Sequence, residues 1–146
     1  MRELPRKLTA EELAKLFEGR TRLVERLAEV EDPLGRADDV LAKLSEEDKL
    51  EALRAHPAIG QRTGLSARST SEQGGDADPE VLSELAQLNA EYESRFGFRF
   101  VVFVNRRPKP EILGVLRERI THSRDEELET GCRELVAIAR DRWTRI

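Results

Sequence analysis

An all-α domain is the fold class that the sequence predicts, and three observations predict it. Leu, Val and Ile recur at three- and four-residue spacings through most of the chain, the period of a helix with one buried face. Short polar patterns stand just ahead of such stretches, where an N-cap belongs: Thr9 with Glu12, Ser45 with Asp48, Ser123 with Glu126. Only one run, 98–104, reads like a strand, and one strand cannot make a sheet. The 146 residues fit a single domain, 1–146. The expected architecture is a compact bundle of about seven helices, with 98–104 threaded through it as a buried extended connection.

Each element follows in order. Thr9 and Glu12 form a capping box, and Leu8 and Leu13 sit where a hydrophobic staple places them. They open a helix over 10–18 that Gly19 stops. Leu23, Val24, Leu27 and Val30 mark a second helix. Asp32-Pro33-Leu34-Gly35 predicts a turn, and Val40, Leu41 and Leu44 a short third helix after it. Ser45 caps a fourth that runs toward Ala55. Pro57 ends it, because the residue before a proline avoids the helical region, and so His56 falls at its C-terminal edge.

From 57 to 78 the character changes. Gly60, Gly64, Gly74 and Gly75 alternate with Ser66, Ser69 and Ser71, and apolar residues are few. Loops of this length inside a domain are usually functional or disordered. Ser69 to Gln73 has capping-box spacing, enough for one helical turn. Asp78-Pro79 starts the next helix, with Val81, Leu82, Leu85, Leu88 and Tyr92 in one stripe and Gly97 as its close after Phe96. Beyond the strand-like run, Ile112, Leu113, Leu116 and Ile120 mark a helix that starts near Pro110. The last helix opens at Ser123 and buries Leu128, Cys132, Leu135, Val136 and Ala139.

Composition narrows the function classes. Apolar residues make up 38% and charged residues 37%, and the net charge of −4 argues against general nucleic-acid binding. No apolar run approaches the ~20 residues of a membrane helix, and the N-terminus lacks a signal-peptide core. The final Thr144-Arg145-Ile146 is not a peroxisomal address, so a cytoplasmic location is expected. One cysteine excludes an internal disulfide. With two histidines and no HExxH spacing, no metal site is expected.

Few side chains are left to carry chemistry. His56 is the sharpest, since imidazole exchanges protons near neutral pH and this one borders the Gly/Ser loop. The plainer alternative is a histidine favoured at a helix C-terminus by the dipole. Glu72 can orient an imidazole and raise its pKa, and Gln73 offers a donor and an acceptor to a ureide. The alternative for this pair is a capping box and a solvated polar residue. Arg119, Arg140 and Arg142 are of the type that grips carboxylates, or they line a solvated helix face. Cys132 reads as core, His122 as structural, and Tyr92, Phe96 and Trp143 as packing. The 98–104 backbone offers donors and acceptors if it lines a pocket.

The ordered set Leu53-Arg54-Ala55-His56-Pro57-Ala58-Ile59-Gly60, Ser69-x-x-Glu72-Gln73, Leu88-Asn89-x-x-Tyr92 and Phe96-Gly97-Phe98-x-Phe100 resembles a known family. Ile112-Leu113-x-x-Leu116-x-x-Arg119 and Ile138-x-x-x-Arg142 continue the likeness, which covers roughly 10 to 146. The family is the 2-oxo-4-hydroxy-4-carboxy-5-ureidoimidazoline (OHCU) decarboxylases of urate breakdown. The resemblance implies an all-helical, cofactor-free and metal-free enzyme that turns this ureidoimidazoline carboxylate into (S)-allantoin, as a homodimer. It implies His56 as the catalytic histidine and Glu72 as the catalytic glutamate that orients His56 and favours its protonated form. Substrate would be held by Pro57, Ser69, Gln73, the main chain at Phe100, Val101, Val102, Phe103 and Val104, and Arg142, with Arg140 as the fallback. One departure stands out: the family often has proline in FGFPF, where this chain has Arg99. The competing readings are an enzyme on the same scaffold that acts on another ureide, and a non-catalytic helical interaction module.

Overall fold

Seven helices run through the described residues, 7–56 and 79–144, of the computed structural model, and no strand is found among them. They are α1 Ala10–Phe17, α2 Arg22–Leu27, α3 Pro33–Lys43, α4 Glu46–Arg54, α5 Pro79–Phe96, α6 Lys109–Arg119 and α7 Arg124–Thr144. The caps fall where the sequence places them. Thr9 Oγ1 accepts from the Glu12 amide at 3.1 Å, while Glu12 Oε1 accepts from the Thr9 amide at 3.1 Å. Ser45 Oγ accepts from the Asp48 amide at 3.2 Å. Ser123 and Glu126 repeat the reciprocal box at 3.1 and 3.2 Å, and those bonds hold the exposed Glu126 carboxyl below its ordinary range. Each cap stabilises its helix by about 1 kcal/mol.

Three boundaries differ from expectation. α1 ends at Phe17, and the left-handed residue after it is Glu18 at φ 64, not a glycine. A non-glycine residue there costs on the order of 1–2 kcal/mol, and the Glu18 carboxylate offsets this by pairing with Arg142 at 2.9 Å. Asp32 to Gly35 is no turn between helices. Asp32 takes φ 51, and α3 begins at Pro33, in the first-turn position where a missing N–H costs nothing. α2 stops at Leu27, so Val30 lies outside it and is only half-buried.

α7 packs on α1, α3 and α4, α2 packs on the same three helices, and α5 pairs with α6. Leu13, Leu23, Val24, Leu27, Leu34, Leu53 and Leu135 are fully buried in one continuous core. Gly131 lets α4 approach α7, since a Cβ there would meet Leu53 Cδ2 at 3.0 Å. That contact sets the depth of the α4 C-terminus, where His56 sits. The 98–104 segment is the buried extended connection foreseen: Phe98, Phe100, Val101, Val102 and Val104 are all buried. Its aromatic rings meet Tyr92 edge-on, with centroids 5.3 Å apart for Phe100 and 6.0 Å for Phe98. No helix among the described residues is long and apolar enough to cross a membrane.

Candidate active site

His56 follows the last turn of α4, its amide bonded to the Leu53 carbonyl at 3.3 Å. Its side chain is buried, and among the described residues no group hydrogen-bonds its Nε2. An imidazole nitrogen left unpaired inside a core costs about 1–3 kcal/mol, so such an atom calls for an explanation. Burial holds the imidazolium out. The neighbouring Arg142 charge disfavours it further, Glu18 opposes that, and Arg99 adds to it, which leaves the His56 pKa at about 3 instead of its ordinary 6.5. These groups favour the neutral ring near pH 7, and Glu72, expected to favour its protonated form, lies outside the described residues.

The ends of three helices meet at this ring. Glu18 and Gly19 close α1, His56 closes α4, and Arg142 lies in the last turn of α7. A Cβ built at Gly19 would stand 3.8 Å from that of Ala55, so the α1 and α4 ends touch. Helix C-termini present partial negative charge, and Arg142 answers it. Its Nη1 donates to the Leu16 carbonyl at 2.9 Å and its Nη2 meets Glu18 Oε1 at 2.9 Å, in a guanidinium only 2% exposed.

The three candidate arginines separate by position. Arg142 is beside His56. Arg140 reaches outward to the Leu34 carbonyl at 2.8 Å and toward Asp38 at 3.6 Å. Arg119 is buried elsewhere, bonded through Nε to Glu127 Oε1 at 2.8 Å and through Nη1 to the Val101 carbonyl at 2.7 Å. A solvated helix face is thus wrong for Arg119 and Arg142, because both lie on the apolar stripe of their helices.

The extended segment is tied to the scaffold by side chains. Arg107 donates to the Phe103 carbonyl at 2.6 Å and to the Val104 carbonyl at 3.0 Å, and the Phe103 amide reaches Glu134 Oε1 at 3.4 Å. Arg119 lies over the Phe100 ring at 4.6 Å. Phe100 and Val101 to Val104 are thereby fixed as a rigid wall. Pro57, Ser69, Glu72 and Gln73 lie outside the described residues. Of the expected site, the described residues bring together His56 and Arg142.

Some participants were not foreseen from the sequence. Glu18 holds Arg142, and Arg99 reaches the His56 carbonyl. Glu127, fully buried, accepts from Tyr92 Oη at 2.6 Å and from Arg119, and pairs with His122 Nδ1 at 2.8 Å. Periodicity carried a signal for Arg119, since Ile112, Leu116 and Arg119 share a face. Cys132 is core as expected, its thiol pushed up to about 11 by burial. No group of three or more His, Cys, Asp or Glu that could hold a metal ion occurs among the described residues.

Comparison with known proteins adds an independent line. A family model for OHCU decarboxylase matches residues 2–144. A 2-oxo-4-hydroxy-4-carboxy-5-ureidoimidazoline decarboxylase of Halalkalicoccus jeotgali is 38% identical over 99 residues, which is 65% of this chain and 56% of that protein. The uric acid degradation bifunctional protein PucL of Bacillus subtilis is 28% identical over 145 residues, 92% of this chain and 29% of its own length. The chain thus spans about half or less of these curated relatives. A crystal structure of OHCU decarboxylase in the presence of (S)-allantoin superposes with a TM-score of 0.75 at 25% identity, over 92% of this chain and 96% of that one.

Proposed function

The chain belongs to the OHCU decarboxylase family, and from that premise we propose that it converts 2-oxo-4-hydroxy-4-carboxy-5-ureidoimidazoline to (S)-allantoin in urate degradation. One observation carries the reading at the level of chemistry: a buried imidazole whose Nε2 has no hydrogen bond among the described residues, near a buried arginine, where three helix ends converge. Perturbed titratable groups of this kind cluster at functional sites.

The substrate explains why so small a set of residues suffices. Its carboxylated carbon also bears a hydroxyl and adjoins a C=N of the ring. When the C–C bond to the carboxylate breaks, CO₂ leaves, the electron pair forms a C=C bond to the ureido-bearing carbon, and the C=N pair moves onto the ring nitrogen, which takes up a proton to give an enol. A proton then returns to the ureido-bearing carbon, the hydroxyl proton is lost, and the hydroxyl becomes a carbonyl. The ring itself is the electron sink. The protein must hold the carboxylate out of the ring plane, stabilise the charge that develops on the ring and deliver the proton to one face.

His56 is the group that moves protons. Its described surroundings favour the neutral ring, and an arriving carboxylate supplies the negative charge that favours the imidazolium. Arg142 supports the substrate's negative charge. Glu72 orients His56, while Ser69 and Gln73 grip the ureido and ring polar groups, Pro57 shapes the wall beside the imidazole, and the backbone from Phe100 to Val104 forms the opposite side. These last roles rest on the family resemblance. A homodimeric state also rests on it, while a cytoplasmic location and one domain over 1–146 are readings of the sequence itself.

Spontaneous decay of the intermediate gives racemic allantoin, so loss of substrate is a poor test. Generating the intermediate from urate with uricase and hydroxyisourate hydrolase, and following circular dichroism, is the discriminating one. A stoichiometric (S)-allantoin signal is expected only when this protein is added. An optically silent end point at high enzyme concentration would refute the activity.

A further inference from the structure

We propose that Arg99 is a positioning residue for His56: its guanidinium lies across the open carbonyl end of α4, fixes the backbone at His56, and so fixes the direction in which the imidazole faces substrate. The proposal rests on His56 acting as described.

The last carbonyls of a helix have no partner within it. α4 ends at Arg54, and the residue that follows His56 in the sequence is Pro57, which has no N–H to give. Arg99 supplies the donors from 43 residues away. Its Nη1 donates to the His56 carbonyl and reaches the Arg54 carbonyl at 3.4 Å. The connection is returned, since Arg54 Nη2 donates to the Gly97 carbonyl at 3.2 Å. Two arginines therefore cross between the same two stretches of backbone, 54–56 and 97–99, each capping the other's chain.

The base of this clamp is rigid. Phe98 and Phe100, on either side of Arg99, are buried in the aromatic cluster around Tyr92, so the intervening side chain is turned outward toward α4. Glu93 steadies the far side of the guanidinium at 3.4 Å from Nε. Arg54, Glu93, Gly97, Phe98 and Arg99 line a hollow of about 380 Å³ at the crossing. A cation at a helix C-terminus is also favoured by the dipole. A side chain that only decorated the surface would not bond to the one carbonyl that belongs to the reactive residue.

The chain has only two histidines, so ring signals of the intact protein labelled with ¹³C and ¹⁵N at histidine report on His56 directly, with His122 as internal reference and His56→Asn as the assignment control. The variants are Arg99→Gln and Arg99→Lys. The charged groups described around the ring are Arg142, Glu18 and Arg99, and lysine keeps the charge at 99 while it loses the paired donors. Arg99→Gln is expected to lower kcat by about 10- to 100-fold with KM within threefold, as a modest misplacement of a reacting group does. Arg99→Lys is expected to recover only part of this. In both variants the His56 signals should broaden or shift and those of His122 should not. Wild-type kcat in Arg99→Gln, or unchanged His56 signals in both variants, would overturn the clamp and leave the role of His56 standing. Wild-type turnover in His56→Asn would instead remove the reading on which the clamp depends, whatever the ring signals show.

Discussion

Two polar clusters are buried in this fold, and they are completed differently. Around Glu127, three donors share two carboxylate oxygens: Tyr92 Oη, Arg119 Nε and His122 Nδ1. Arg119 Nη1 donates to the Val101 carbonyl and the guanidinium lies over the face of Phe100, while its buried Nη2 has no hydrogen bond among the described residues. Around His56, the arginine is anchored to Leu16 and Glu18, yet the imidazole Nε2 has no hydrogen bond among the described residues. A carboxylate paired through both oxygens rigidifies a core. An imidazole nitrogen left open keeps a reactive atom in reserve, at the expense of stability. The first cluster holds the wall at 98–104 in place.

The contrast makes predictions that separate activity from stability. His56→Asn should reduce turnover by ~10²–10⁴-fold in the optical assay, while resistance to urea at pH 7 stays within about 1–2 kcal/mol of wild type. Glu127→Ala should do the opposite first. Removing one member of a buried pair leaves Arg119 uncompensated and should cost about 3–5 kcal/mol in urea unfolding. If Glu127→Ala is as stable as the wild type, the scaffold role assigned to that cluster is wrong.

The smallest effect is a pH slope. The folded His56 pKa, about 3, lies below its ordinary value of 6.5. Between these two values the unfolded chain takes up a proton that the folded chain refuses, so stability falls as pH drops through that window and is independent of this group above it. From pH 7 to pH 5 the loss should be about 2 kcal/mol. His56→Asn should abolish that share of the slope. An identical slope in the variant would mean that the ring is protonated in the folded protein after all.

Much of the fold was legible because its signals are local. Thr9 with Glu12 and Ser123 with Glu126 are three residues apart, and nothing distant is needed to read them. Asp32-Pro33-Leu34-Gly35 reads as a turn, whereas Asp78-Pro79, the same dipeptide, reads as a helix start; the structure begins α3 at Pro33 and carries Gly35 inside it. For the site, His56 was legible from its place before Pro57, and Arg142 from the resemblance. The sequence holds a second signal for Arg142: Leu128, Cys132, Leu135, Ala139 and Arg142 fall on one helical stripe, which Arg140 does not share. Glu18 and Arg99 could not be read at all, since their partners stand far off in sequence, at Arg142 and at the end of α4, and nothing near either residue announces the pairing.

Glu18 also carries a warning for anyone who sets out to make this chain hardier. Its backbone is of a kind that glycine adopts freely, so Glu18→Gly is among the first changes a thermostability screen would reward. The same change would release the guanidinium that stands beside the imidazole. Selection for heat tolerance and selection for turnover would pull this one codon in opposite directions.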